Sequence, residues 1–161
     1  MLALACGHLR EAHISAAVVG RQLSEVVALD QDPLSLSIVR ATCAGLPVTC
    51  VPAGVGDLLK GRVELGEFDL IYAAGLYDYL PDALARRLTN VLWGHLKFGG
   101  KLVVANFVRC WEAAYMEAVM EWYLLYRDES SVRAFAADLS PTNAEVSLDD
   151  DGVIAYLTLT R

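Results

Sequence analysis

The sequence has few cysteines, and they do not form a recognisable ligand or disulfide set. No two of them stand in a C-x-x-C pair, and no histidine stands at metal-ligand spacing beside two of them; the four are Cys6, Cys43, Cys50 and Cys110. This pattern argues against a structural zinc site and against a disulfide framework. We therefore expect no metal ion, and reduced, mostly buried thiols in a cytoplasmic protein.

Basic residues are in the minority, and no stretch of the chain is basic. Thirteen Lys and Arg stand against twenty Asp and Glu, which gives a net charge of −7 and a pI of about 4.8. A large polyanion would meet net repulsion from such a protein. We therefore predict a small-molecule substrate and no nucleic-acid partner. An acidic balance remains compatible with a cationic ligand.

Long hydrophobic runs are also lacking, although 55% of the residues are apolar. No run approaches the roughly twenty residues that a membrane-spanning helix needs, so no membrane span is predicted. The apolar residues instead occur in short blocks, such as residues 26–29, 68–72 and 102–105. Short continuous apolar blocks are typical of strands that are buried on both faces, as in a parallel sheet covered by helices.

Strand-like and helix-like segments alternate along most of the chain. The predicted strands cover residues 1–5, 25–30, 48–51, 68–73 and 101–106, and the predicted helices cover residues 11–23, 32–45 and 81–93. Such alternation predicts an α/β fold with a Rossmann-like, doubly wound and mostly parallel sheet, connected by right-handed crossovers.

The C-terminal part of the chain breaks this alternation. Residues 111–126 are predicted to form one long helix, whose aromatic stripe we interpret as sheet-facing core; the alternative is the wall of an apolar substrate pocket. Two strand-like runs, residues 145–148 and 153–160, are joined by an Asp-Gly turn, which predicts an antiparallel hairpin. The first strand begins at the chain end, so we expect residues 1–161 to form one core domain that lacks N-terminal helices or an upstream domain.

A ligand site is expected where the carboxyl ends of the parallel strands meet. The residues predicted to converge there, in strand order, are Ala5, Cys6, Gly7, His8, Asp30, Gln31, Gly54, Val55, Ala73, Ala74 and Gly75. Many of them are small, which allows the backbone to approach a ligand closely. Gly7 either supplies a ligand-binding turn or merely connects a strand to a helix.

An acidic residue, Asp30, ends the second strand about twenty residues after this turn, where a carboxylate can accept hydrogen bonds from ribose hydroxyls. The alternative is that Asp30 caps the next helix, although Asp32 already fits that position. A dinucleotide site requires G-x-G-x-x-G, and residues 5–10 contain Gly7 alone,. The loop therefore disfavours an NAD-dependent oxidoreductase, which would need to bind a pyrophosphate.

Several segments together resemble the class I S-adenosylmethionine-dependent methyltransferases. They are residues 2–7, Asp30, residues 68–72, residues 96–103 and the terminal hairpin, and they extend over nearly the whole chain. Residues 5–7, 29–32, 75–80 and 121–127 are similar to bacterial methyltransferases that make 3-hydroxypalmitic acid methyl ester. The resemblance implies S-adenosylmethionine as cofactor and methyl transfer to a small molecule, such as a carboxylate or hydroxyl of a lipid-like acid.

The sequence departs from this family at four positions. Ala3 and Gly54 stand where many members have acids, and Ala5 and Leu9 stand where they have glycines. These departures leave open a non-catalytic, methyltransferase-like binding or interaction domain.

The substrate-side candidates follow the fourth and fifth strands: Tyr77, Asp78, Tyr79 and Asn106. The alternative roles are packing for the tyrosines, a helix start for Asp78 and capping for Asn106. The sequence identifies no catalytic residue: a carboxylate nucleophile needs no general base, whereas a hydroxyl or amine nucleophile can require one.

Overall fold

The computed structural model describes all 161 residues, and the strands and helices alternate as far as β5. In chain order they are β1 (Leu2–Leu4), α1 (Ala16–Val19), β2 (Val26–Asp30), α2 (Pro33–Thr42), β3 (Val48–Pro52), α3 (Val55–Leu59), β4 (Phe68–Ala73), α4 (Asp82–Gly94), β5 (Leu96–Phe107), α5 (Ala113–Val119), α6 (Glu129–Arg133), β6 (Asn143–Leu148) and β7 (Ile154–Thr160). Short 3₁₀ turns lie at Arg10–His13, Tyr77–Tyr79 and Ala134–Ala136.

The strands form one seven-stranded sheet in the order β3-β2-β1-β4-β5-β7-β6. The first five of these strands are parallel, while β7 runs antiparallel to both β5 and β6. This confirms the predicted fold, including the terminal hairpin. The register pairs Leu4 with Leu29 on one side and with Ala73 on the other, so that β1, β2 and β4 end side by side.

The core lies on both faces of the sheet, which explains the short continuous apolar runs in the sequence. Leu2 and Leu4 join a cluster of 22 buried residues that includes Leu88 and Leu92 of α4. Ala3, between them, points to the opposite face and joins a smaller cluster with Val39 of α2. Alternate side chains of one strand thus serve two cores. No helix has both the length and the apolar character that crossing a bilayer requires.

The helix predicted over residues 11–23 is wrong, because only a 3₁₀ turn and the four residues of α1 form there. Ser15 caps α1, with its side chain accepting a hydrogen bond from the N–H of Val18. Gly20 ends the helix, and Arg21 follows with φ 52°. A left-handed residue at that position cannot continue an α-helix.

The long helix predicted over residues 111–126 is also wrong, because α5 ends at Val119. Glu121 has φ 51°, and two backbone N–H groups beyond it donate to distant segments. The N–H of Leu125 donates to the Asp78 carbonyl over 2.8 Å, and the N–H of Arg127 donates to the Phe107 carbonyl over 3.0 Å.

The aromatic stripe of this segment is largely not sheet-facing core. Trp111 is 84% exposed, Tyr123 68% and Tyr115 58%, whereas Met116, between them in the chain, is buried. The core interpretation of these aromatic residues is therefore wrong for most of them.

Two short helices, α3 and α6, were not predicted, and β5 begins earlier than expected. Gly99, with φ 78°, lies inside β5, where the pairing with β4 shifts between Phe68 and Leu70. A Cβ on Gly100 would lie 2.9 Å from the carbonyl oxygens of both Lys97 and Phe68. The two glycines therefore form an irregularity within the strand.

Candidate functional site

A cavity of about 330 Å³ opens at the carboxyl ends of β1, β2 and β3. Five of its lining residues were predicted as cofactor-side residues: Ala5, Asp30, Gln31, Gly54 and Val55. Tyr79 was predicted on the substrate side, and the remaining lining residues are Leu4, Leu29, Ala53, Leu76 and Leu80. Such a cavity, mostly apolar with a few polar groups, is the usual form of a small-molecule site.

Beside this cavity, the loop after β1 borders a more open cleft of about 340 Å³. Three predicted residues, Cys6, Gly7 and His8, line this cleft. The three small residues predicted after β4 line neither space: Ala73 is buried, whereas Ala74 and Gly75 are exposed. The structure thus brings the residues after β1, β2 and β3 together, but not those directly after β4.

The Asp30 carboxylate ties the loop after β1 to the end of β2. Its Oδ2 accepts a hydrogen bond from the N–H of Gly7 over 2.8 Å, and its Oδ1 accepts one from the N–H of Asp32 over 2.9 Å. Asp32, not Asp30, caps α2 by accepting from the N–H groups of Leu34 and Ser35. Each Asp30 oxygen accepts one of these bonds and keeps a free lone pair for a ligand hydroxyl.

Three residues of the loop after β1 have left-handed backbone: Ala5 with φ 50°, Gly7 with φ 51° and Leu9 with φ 48°. Two of them carry side chains in a conformation that favours glycine, which costs of order 1 kcal/mol each. Leu9 is 1% exposed, so burial of its side chain offsets the strain. Ala5 and Leu9 therefore preserve a glycine-type loop shape without glycine.

Cys6 has no features of a nucleophile. Burial, together with the nearby Asp30 carboxylate and Cys50, raises the pKa of its thiol to about 12. The thiol donates a weak hydrogen bond to the Gly7 carbonyl. The thiolate is the reactive form of cysteine, so this residue is inert at neutral pH.

Gln31 and Gly54 face each other in the cavity. A Cβ on Gly54 would lie 3.0 Å from Oε1 of Gln31 and 3.4 Å from its Cβ. The N–H of Gly54 donates to Asp57 at the start of α3 over 3.2 Å. A side chain at position 54 would therefore press against the Gln31 side chain, which would have to shift slightly.

Tyr77 and Asp78, two of the predicted substrate-side residues, belong to the interior instead. Tyr77 is fully buried with its hydroxyl 3.0 Å from Oγ1 of Thr89, and burial raises the pKa of its phenol. The Asp78 carboxylate accepts a hydrogen bond from the N–H of Phe107 over 2.6 Å, and burial raises its pKa. Neither side chain lines the cavity, so packing and local hydrogen bonding account for both.

Asn106, also predicted on the substrate side, is buried and bonded to Arg127. Its Oδ1 accepts a hydrogen bond from Nη1 of Arg127 over 2.7 Å, and its amide nitrogen donates to the carbonyls of Phe107 and Leu125. Arg127 itself is only 6% exposed, although it is a charged residue. Nothing in the local sequence pattern signals that burial.

The Arg127 guanidinium holds the segment that follows β4. It donates to the carbonyls of Tyr77 and Leu80 and to the Asp82 carboxylate, the last over 2.8 Å from Nε, and it lies 5.1 Å from the ring centre of Phe135. Leu80 lines the cavity. Arg127 therefore holds the backbone of Leu80, and with it one wall of the cavity, in place.

Tyr79 is the substrate-side candidate that does line the cavity. Its hydroxyl accepts a hydrogen bond from the indole Nε1 of Trp122 over 2.6 Å. The Trp122 ring packs edge-on against Phe107, with the ring centres 5.9 Å apart. The mouth of the cavity is thus joined to the exposed aromatic segment, so Trp122 fits the alternative interpretation of that segment as a pocket wall.

No protein-family model matches the chain, and a search of curated protein sequences finds no match. Solved structures do match its fold. A possible exported protein from Bordetella parapertussis has a TM-score of 0.80 at 18% identity, over 99% of this chain and 60% of its own. The apo form of the S-adenosylmethionine-dependent methyltransferase SibL has a TM-score of 0.79 at 16% identity, over 99% of this chain and 49% of its own.

A third match is the magnesium protoporphyrin IX methyltransferase from Synechocystis with bound S-adenosylhomocysteine. Its TM-score is 0.68 at 12% identity, over 99% of this chain and 72% of its own. The chain therefore has the class I methyltransferase fold, and its structural neighbours include S-adenosylmethionine-dependent methyltransferases. It spans about half to three-fifths of the length of the first two proteins.

Proposed function

We propose that this chain is a methyltransferase core domain, residues 1–161, which binds S-adenosylmethionine in the cavity around Asp30 and methylates a small molecule. The observation that carries the proposal is the position of Asp30: its carboxylate borders an apolar cavity and at the same time holds the Gly7 loop. A nucleoside needs such a combination, with apolar surface for the base and a carboxylate for the ribose hydroxyls.

The residues present fit this cofactor. The cavity volume of about 330 Å³ lies within the range of small-molecule sites,. Asp30 would hold the ribose, and Val55, with the leucines of the lining, would contact the base. When bound, S-adenosylmethionine supplies a methyl group on a positively charged sulfur. The net charge of −7 favours approach of a cation,.

We place the methyl acceptor at the mouth of the cavity, beside Tyr79 and Trp122. The aromatic surface there suits an acceptor with an apolar body, such as the carboxylate or hydroxyl of a lipid-like acid. The resemblance to bacterial enzymes that make 3-hydroxypalmitic acid methyl ester supports a cytoplasmic enzyme with this substrate class. A carboxylate acceptor would need only alignment and exclusion of water, which agrees with the lack of a catalytic base at the mouth.

Calorimetric titration tests the cofactor assignment. The wild-type chain is titrated with S-adenosylmethionine and, separately, with NADH, and Asp30→Ala and Asp32→Ala serve as a matched pair. We expect micromolar binding of S-adenosylmethionine, weakened at least tenfold by Asp30→Ala and unaffected by Asp32→Ala. Far-UV circular dichroism verifies that both variants remain folded. Binding of NADH, or binding that ignores Asp30, would contradict the proposal.

A non-catalytic binding domain is the second candidate, favoured by the absence of glycine at positions 5 and 9 in the loop after β1. A screen of methyl acceptors separates the two, starting from 3-hydroxy fatty acids and monitoring S-adenosylhomocysteine release. Release of the product with one acceptor supports the enzyme. Cofactor binding without release by any member of the series supports the binding domain.

A further inference from the structure

A cavity of about 560 Å³ lies between the loop after β5 and the turn before β7, and we call it the β5–β7 cavity. It opens at the same edge of the sheet as the cavity around Asp30, but the two share no lining residue. Phe107 lines the β5–β7 cavity, and its ring packs against Trp122, which bonds to Tyr79 at the other cavity.

The walls of the β5–β7 cavity combine apolar surface with negative charge. The apolar part comes from two aromatic rings, a thioether and a valine, and the charge comes from two acids; these residues are Phe107, Trp111, Met116, Val153, Glu112 and Asp151. No basic side chain lines the cavity. Arg109, on the same loop, is directed elsewhere, because its guanidinium lies 3.7 Å from Glu117 and 5.4 Å from the ring centre of Tyr126.

The two acids of the cavity have no protein partner. Oε2 of Glu112 is buried without a hydrogen bond, and Asp151 is exposed and makes none. Asp149, by contrast, is fully engaged in the turn: its Oδ1 accepts from the N–H groups of Val153 and Ile154 over 2.7 and 2.9 Å. A carboxylate that lacks both water and a partner is unfavourable, so a cationic ligand would stabilise Glu112.

The lining favours an organic cation over a metal ion. The acids and Cys110 do not form a group that could hold a metal, and hard cations require several oxygen ligands. Aromatic rings instead attract alkylated ammonium ions through the cation–π interaction, for which tryptophan is the best partner. Trp111 is 84% exposed, so such a ligand would also cover a large apolar surface.

We infer that the β5–β7 cavity is a binding site for an alkylated ammonium group of the choline type, with Glu112 as its counter-charge and Trp111 and Phe107 as its aromatic walls. The group belongs either to a free small molecule or to a zwitterionic lipid headgroup, since the chemistry of the two is the same. The inference goes beyond the proposed function and does not depend on it, because no residue of the cavity around Asp30 takes part.

A pair of matched ligands tests the need for a positive charge. The chain is titrated with choline and, separately, with 3,3-dimethyl-1-butanol, an uncharged molecule of the same shape, and backbone amide NMR spectra are recorded. We expect shifts at residues 107–116 and 151–153, and binding of choline at least about fivefold tighter than that of the alcohol. Equal affinities, or shifts confined to other residues, would overturn the inference.

Two glutamate variants test the counter-charge. Glu112→Gln keeps the size of the side chain and should abolish the preference for choline. Glu117→Gln is the matched control: it removes an acid that pairs with Arg109 and does not line the cavity, so the preference should remain. A wild-type preference in Glu112→Gln would exclude this glutamate as the counter-charge and overturn the inference.

Two aromatic variants test the wall, at exposed positions where substitution should leave the fold intact. Trp111→Leu should weaken choline binding several-fold, whereas Tyr123→Leu, which changes an exposed ring outside the lining, should not. Unchanged binding in Trp111→Leu would indicate a purely ionic site and overturn the inference.

Sedimentation with phosphatidylcholine vesicles then identifies the source of the group. Co-sedimentation that Glu112→Gln abolishes assigns the site to a lipid headgroup, and choline binding without co-sedimentation assigns it to a free molecule. None of these measurements uses S-adenosylmethionine, so their failure would leave the proposed function standing.

Discussion

The Asp30 carboxylate and the Gly7 amide, 23 residues apart in the chain, are joined by a hydrogen bond of 2.8 Å. The same carboxylate accepts a second hydrogen bond, from the N–H of Asp32. Asp30 is therefore needed for the shape of the loop even before a ligand binds. A variant of Asp30 is expected to affect both stability and binding.

Asp30→Asn is expected to lower the free energy of unfolding by about 1–3 kcal/mol, since an amide provides one acceptor oxygen where the carboxylate provides two. Urea unfolding followed by circular dichroism measures the change. Asp150→Asn is the control: Asp150 is exposed and its side chain makes no hydrogen bond, so the stability of this variant should be nearly that of the wild type. Equal stabilities for all three proteins would show that the contact with Gly7 contributes nothing.

Ala5 and Leu9 have the same left-handed backbone and are expected to respond oppositely to glycine. Ala5→Gly removes strain and should stabilise the protein by up to about 1 kcal/mol. Leu9→Gly also removes strain, but it loses a buried side chain and should destabilise by about 2–4 kcal/mol. Thermal and urea unfolding of the two variants measure both changes. A loss of stability in Ala5→Gly would mean that the loop is not strained at that residue.

Among the charged side chains, substitution of Arg127 is expected to lower stability most, because its guanidinium is buried. Arg127→Met leaves Asn106 Oδ1 and the carbonyl of Leu80 without their partner and should cost about 3 kcal/mol or more. Arg127→Lys should recover only part of this loss, because an ammonium lacks the planar, five-donor geometry. Arg109→Met is the control, since Arg109 is exposed and 3.7 Å from its ion-pair partner Glu117,. Urea unfolding at pH 7 compares the three; equal losses for Arg127→Met and Arg109→Met would contradict the role of the network.

Asp78 is expected to give stability a recognisable pH dependence. Burial raises its pKa in the folded state, and the Phe107 N–H and Arg127 oppose this only in part. The folded state therefore binds the proton more tightly than the unfolded state. The contribution of Asp78 to stability is fully present below the ordinary aspartate pKa of about 3.9, and it is lost as the pH rises through the raised pKa of the folded state.

Asp78→Asn removes this titration while its amide oxygen still accepts from Phe107. The stability of the wild type relative to Asp78→Asn should accordingly fall between about pH 4 and neutral pH. Unfolding in urea at pH 4, 5.5 and 7 provides the comparison. If the wild type instead became more stable relative to Asp78→Asn as the pH rises, the effect of Arg127 on the pKa of Asp78 would outweigh that of burial.

The ligand cavity was predicted better from the sequence than the substrate side was. Asp30, Gln31, Gly54 and Val55 follow buried strands directly, and parallel strands always bring their carboxyl ends to one edge,. Tyr77 and Asp78 lie four and five residues beyond the end of β4, where a 3₁₀ turn directs them inward. A difference of one residue in a tight turn decides which side chain reaches the cavity, and apolar patterning does not resolve it.

The sequence by itself determined the sheet: the short apolar blocks, their alternation with helices and the Asp-Gly turn fix the strands because these signals are local. Only the tertiary structure decided the path of residues 121–127. Their composition favours a helix, but hydrogen bonds to Asp78 and Phe107, together with the burial of Arg127, hold them in another conformation. Those partners lie 20 or more residues away in the chain, so their contribution exists only after the sheet has formed, and no local pattern encodes it.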